Sequence, residues 1–197
     1  MKNKTSHKLI FEGAEMVGKS FVISQIYNYL EKKYNSNTKI LNGCHWFNCD
    51  VGIFGTKNGK KIIDEYINIL KILKNKNTIF EKFYLTDQVY NKLYNKKNIN
   101  YQKQEKELKK LNAKIILLTV KNKKVFQDRI PDRLNNISHY QRVVQTTENY
   151  WKQQEEYLNL IKKSKLEYLI VDSTELLNKK FVKNLVDKIL KFIHPVK

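Results

Sequence analysis

One eight-residue stretch constrains this chain more than any other. Gly13-Ala14-Glu15-Met16-Val17-Gly18-Lys19-Ser20 fits the pattern G-x-x-x-x-G-K-[ST] without a mismatch. The apolar residues 9–11 run into it and a helical pattern over residues 19–34 runs out of it. The stretch therefore sits at a strand-to-helix turn, where the pattern has physical meaning. Two glycines let the backbone wrap, so that successive N–H groups face phosphate oxygens and the helix N-terminus adds its partial positive charge. Lys19 is expected to neutralise the β- and γ-phosphates, and the Ser20 hydroxyl to hold Mg2+. The pattern predicts that residues 13–20, Gly13, Ala14, Glu15, Met16, Val17, Gly18, Lys19 and Ser20, bind ATP. It is silent about what receives the phosphate.

The rest of the chain alternates in the way such a turn requires. Strand candidates lie at residues 9–11, 39–41, 78–80, 115–120 and 168–171. Helical patterns cover residues 19–34, 62–73, 85–94, 105–111, 140–163 and 177–193. Five strands alternating with helices predict an α/β fold, a five-stranded parallel sheet with helices on both faces. At 197 residues, without repeats or a Pro/Gly/Ser linker, residues 1–197 read as one domain. The least regular stretches, 42–57 and 130–139, are expected beyond the C-terminal strand ends, where ligands bind in such folds.

A net charge of +19 invites a nucleic-acid reading, but its make-up argues against one. Thirty-five of the 38 basic residues are Lys, and there are 22 Asn. That bias fits an AT-rich coding sequence, and no basic-aromatic stripe accompanies it. Nucleic acid is therefore not an expected partner. The three Arg, by contrast, all fall between positions 129 and 142. The longest apolar run, 115–120, is far too short to span a membrane. Residues 1–8 are polar and basic, with nothing that marks a signal peptide. Two Cys fit a reducing compartment, so a cytoplasmic location is expected. Cys44, His45 and Cys49 lack the fourth partner that a zinc site needs.

Extended to Phe11-Glu12, the loop resembles the F-E-G-x-[DE]-G-x-G-K-[ST] loop of thymidylate kinases, with Met16 where a Gly is usual. After the third strand, Glu81-Lys82-Phe83-Tyr84-Leu85-Thr86-Asp87-Gln88-Val89-Tyr90-Asn91 is similar to their D-R-[YF]-x-x-S-x-x-A-Y-Q. Arg129 and Arg133 stand where that family has its lid. The resemblance implies a P-loop kinase fold, a lid over about residues 129–142, a small-molecule acceptor and a homodimer. It implies that Glu81 acts on the acceptor side, as a base or through Mg2+, and that Lys82 replaces an Arg that holds the acceptor phosphate. Lys19, Glu81, Arg129 and Arg133 are the implied catalytic residues, with Arg142 a weaker candidate, and Ser20 and Glu81 the implied metal ligands. Trp46, Lys82, Phe83, Thr86, Tyr90 and Asn91 are the implied acceptor contacts. Glu15 is expected to pair with a lid Arg, and Pro131 to end a helix in a bend that suits a mobile lid.

The chain departs from the family after its second strand. The T-R-E-P-G-G segment is replaced by Asn42-Gly43-Cys44-His45-Trp46-Phe47-Asn48-Cys49-Asp50, which carries no Arg. Nucleoside kinases of related fold place a carboxylate near this strand end, and Asp50 is the candidate here. The leading expectation is a kinase that phosphorylates a nucleoside monophosphate, with dTMP to dTDP as the substrate guess. The alternatives are a deoxynucleoside kinase acting on a 5′-hydroxyl, a protein acting on nucleic-acid ends, and a degenerate kinase that binds nucleotide without turnover.

Overall fold

The computed structural model describes residues 6–34, 43–136, 140–141 and 144–194. Strands β1 (Lys8–Glu12), β2 (Cys44–Asn48), β3 (Asn77–Glu81), β4 (Ala113–Thr119) and β5 (Glu167–Asp172) form one sheet in the order β2-β3-β1-β4-β5. Every pairing is parallel, with Phe11 opposite Glu81 on one side and Ile116 on the other. Parallel strands need crossovers, and helices supply them. They are α1 (Lys19–Tyr34), α2 (Gly59–Ile72), α3 (Tyr84–Asn95), α4 (Gln102–Lys110), α5 (Lys124–Asn136), α6 (Thr147–Ile161) and α7 (Lys179–Ile193).

Helices α1 and α7 pack together on one face of the sheet, and α3 packs against α6 on the other. The central strands are therefore covered twice, which is why β1 and β4 carry continuous apolar runs. Leu9, Ile10 and Phe11 of β1, Ile79 and Phe80 of β3, and Ile115 to Leu118 of β4 are all buried. Strand order turns at β1: the chain builds β2 and β3 to one side of it, then β4 and β5 to the other. The crevice at the carboxyl end of β1 is where such a sheet admits a ligand. No helix among the described residues is long and apolar enough to cross a membrane.

Two expectations are corrected, and a third falls outside the described residues. The second strand is Cys44–Asn48; the candidate at 39–41 lies outside the described residues. As an edge strand, β2 buries only Cys44 and then alternates half-buried and exposed positions, and so shows no apolar run. The helix expected from 140 begins only at Thr147, because Thr146 turns to the extended region and its side chain accepts from the Asn149 N–H. Finally, α5 runs through Pro131 without ending. Pro131 and Gln127, whose carbonyl loses its N–H partner, are both exposed, so solvent can serve that carbonyl.

Candidate functional site

The loop between β1 and α1 depends on backbone conformations that side chains disfavour. Gly13 has φ 139°, and a Cβ there would stand 2.5 Å from the Leu118 carbonyl oxygen. Met16 adopts φ 68° at the position where a Gly is usual in the similar loops, a left-handed conformation that costs a non-glycine residue about 1 kcal/mol or more. Lys19, only 5% exposed, folds back over the loop and donates to the carbonyls of Gly13 (2.7 Å) and Ala14 (2.8 Å). Burial lowers its pKa, with Glu15 the main opposing influence.

At the head of α1, the Ser20 hydroxyl donates to Glu81 Oε1 at 2.6 Å. Glu81 closes β3, and its other oxygen accepts from the Trp46 indole N–H at 3.2 Å. Both oxygens of this carboxylate are thus engaged at the end of the crevice. Two residues that were expected together are together here, Ser20 and Glu81, with Trp46 beside them.

The next residue, Lys82, takes φ 59° while its N–H donates to the Phe11 carbonyl. Its ammonium reaches Glu15 at 2.6 Å and Asp50 at 3.0 Å. Burial would lower the Lys82 pKa, but the two carboxylates outweigh it and raise the value. Burial likewise pushes Glu15 up, yet Lys19 and Lys82 together hold it at about 2. The Tyr90 hydroxyl also donates to Glu15, at 3.2 Å. Glu15 was expected to meet a lid Arg; its cation is Lys82 instead, because the loop turns this side chain toward β3 and α3.

Three expected acceptor contacts point elsewhere. Phe83 is fully buried against Phe80, with ring centroids 5.0 Å apart. Thr86 is also fully buried, donates to Glu12 Oε2 at 2.5 Å and accepts from the Tyr157 hydroxyl at 2.8 Å. The buried Asn91 amide donates to the backbone and side chain of Asp87. The cause is local: α3 starts directly at Tyr84, so these positions fall on its inner side. Trp46, at 38% exposure, and the half-buried Tyr90 remain at the crevice with Lys82.

Sequence reasoning left Glu12 without a role. It is fully buried and accepts from the N–H groups of Phe83 (3.1 Å) and Leu85 (3.0 Å), and from Thr86. It thereby serves the free N–H groups at the start of α3. Burial raises its pKa to about 7, although the hydrogen bonds from Thr86, Phe83 and Leu85 oppose the rise. An acidic residue directly after the apolar run 9–11 was the available signal. Ser173 was missed as well; its hydroxyl donates to the Val17 carbonyl at 2.6 Å and steadies the loop from β5.

On the far side of the loop, Arg129 donates to the Met16 carbonyl at 2.7 Å, to Ser173 at 2.6 Å and to Thr174 at 3.1 Å. Burial and then the charge of Arg133 lower its pKa. Its guanidinium therefore ties the loop of residues 13–20 to the turn between β5 and α7. Arg133 lies one helical turn on, and both line a cavity of about 680 Å³ with Met16, Gly18, Thr174 and Asn178. Arg142, and much of the expected lid beyond 136, lie outside the described residues.

The sequence matches no protein-family model and no curated protein. Solved structures do match in shape. YorR from Bacillus subtilis, solved with phosphorylated GDP, is 18% identical with a TM-score of 0.63, over 96% of this chain and 99% of that one. The deoxyadenosine kinase of M. mycoides with dCMP and dCDP is 17% identical with a TM-score of 0.56, over 96% and 100%. The same enzyme with dCTP gives 19% and 0.54, over 94% and 100%. This chain, with its five-stranded parallel sheet, shares the α/β fold of these structures.

Proposed function

We propose that this chain is an ATP-dependent kinase of nucleosides or nucleotides, and that its acceptor is a nucleoside 5′-hydroxyl rather than a monophosphate. The observation that carries the choice of acceptor is Lys82, held between Glu15 and Asp50. An acceptor phosphate would bring further negative charge to a pocket that already holds these two carboxylates and Glu81. To serve it, Lys82 would have to leave a partner at 3.0 Å or closer, uncovering a part-buried carboxylate. A nucleoside asks for no such exchange, because its hydroxyls and base hydrogen-bond to carboxylates directly. The solved M. mycoides and YorR structures, which hold nucleotides in the same fold, support the nucleotide-handling part of this reading.

The donor ATP would lie with its phosphates on residues 13–20 and its base in the 680 Å³ cavity beside Arg129 and Arg133. Lys19 exchanges two neutral carbonyl partners for charged phosphate oxygens, a stronger hydrogen bond. Ser20 and Glu81 offer the oxygen donors that Mg2+ prefers, and they meet at the head of the loop. When bound there, the metal would neutralise charge on the β- and γ-phosphates. Asp50 stands at the exit of β2 as the proton acceptor. The acceptor oxygen forms its bond to the γ-phosphorus, the bond to ADP breaks, and the hydroxyl proton passes to Asp50. Arg133, in the same cavity, adds positive charge beside the bound ATP.

ADP release, measured against a panel of nucleosides and nucleoside monophosphates that includes dTMP, separates the readings. Turnover of nucleosides is expected. Turnover of dTMP or another monophosphate, with nucleosides inert, overturns the choice of acceptor, and inertness toward both overturns the kinase itself.

A further inference from the structure

The indole of Trp46 does something that a wall of an acceptor pocket need not do. Trp46 faces Ile79 in the β2–β3 register, and Glu81 lies two residues further along, on the same face of the sheet. The indole therefore reaches diagonally along the strand direction to meet Glu81 Oε2 at 3.2 Å. Tyr27 of α1 stands behind it, with ring centroids 6.4 Å apart, and is itself anchored through its hydroxyl to the Cys44 carbonyl at 3.2 Å. Trp46 is thus fixed on one side by Tyr27 while its N–H meets Glu81 on the other.

A carboxylate on a flexible stem has a soft terminal torsion. Ser20 alone holds Glu81 by one oxygen, and a hydroxyl can act as donor or acceptor, so it does not by itself dictate how the carboxylate turns. An indole N–H can only donate. Its contact with Oε2 fixes the plane of the carboxylate with Oε1 toward Ser20 and the phosphate loop. We propose that Trp46 is a positioning residue for Glu81: it orients the carboxylate that, with Ser20, receives Mg2+ on the reading above. Hydrogen bonds that orient metal-binding carboxylates typically matter by about tenfold or more in affinity or activity when removed.

The chain has two Trp, and Trp151 lies on α6 with its indole paired to Glu155. A Trp151→Phe protein therefore reports Trp46 fluorescence alone. Adding Mg2+ and then Mg2+ with ATP is expected to shift the Trp46 emission. The same additions are expected to leave it unchanged when Glu81→Ala is also present. No response, or an equal response in both proteins, overturns the proposal. In kinetics, Trp46→Phe keeps the ring against Tyr27 but deletes the donor; kcat should fall about tenfold while the acceptor KM stays within about twofold. A raised acceptor KM with kcat unchanged overturns the proposal and returns Trp46 to the pocket wall. Should Trp46→Phe fold poorly, the emission experiment still decides. A Glu81-dependent emission response in a protein that phosphorylates no acceptor would sink the kinase reading and leave the positioning role standing.

Discussion

Replacing Glu12 by Gln should remove a pH dependence that the native fold carries in its centre. Glu12 is fully buried, and its pKa rises from an ordinary 4.5 to about 7, driven by burial. Between those values the folded chain holds a proton that the unfolded chain has released. Stability is therefore greatest below 4.5 as far as this group is concerned, and it falls as pH rises through about 7. At about 1.4 kcal/mol per pH unit, the loss approaches about 3 kcal/mol. Gln cannot ionise, yet its carbonyl oxygen can still accept from Phe83 and Leu85, so the start of α3 keeps its cap. Urea unfolding from about pH 5 to about pH 8 should show the native chain losing about 2–3 kcal/mol relative to the variant. Glu15, held at about 2, acts in the opposite sense, but its window lies below 4.5 and leaves this comparison untouched. Parallel stability curves for the two proteins would refute the reasoning.

Other changes probe the site itself. Lys19→Met should lower turnover by about a hundredfold or more while far-UV dichroism stays native, since the lost partners are carbonyls of the same loop. Gly13→Ala should abolish ATP binding in calorimetry and destabilise the fold by about 1–3 kcal/mol, because the new Cβ would meet the Leu118 carbonyl at 2.5 Å. Asp50→Asn should cut nucleoside turnover by about a hundredfold. It should also improve binding of a monophosphate by freeing one side of Lys82, which a competition assay would detect. Phe126→Ala, a fully buried ring against Tyr150, should lower stability by about 3–5 kcal/mol in thermal unfolding.

The architecture was legible where residues announce their own geometry. Residues 13–20 require a strand before them and a helix after them, and β1 and β4 carry continuous apolar runs because both faces are covered. Strand β2 was not legible, because an edge strand with a half-solvated, aromatic alternation looks like a loop. At the site, the pairing of Ser20 with Glu81 follows from the sheet order, which places β3 beside β1. The partner of Glu15 did not follow, since Lys82 and Arg129 are equally plausible cations until the loop's direction is known. The burial of Phe83, Thr86 and Asn91 did not follow either, for a related reason. Motif spacing says which residues lie near a strand end, but the first turn of α3 decides which of them face inward.

The contacts of Arg129 and Ser173 have a consequence for how binding would spread through the molecule. One guanidinium and one hydroxyl join the carbonyls of Met16 and Val17 to the corner that leads into α7. The phosphate loop is therefore cross-braced to a segment more than 150 residues away in sequence. Anything that stiffens the loop should slow amide exchange at 173–178 as well as at 13–20, so the C-terminal corner becomes a remote gauge of occupancy.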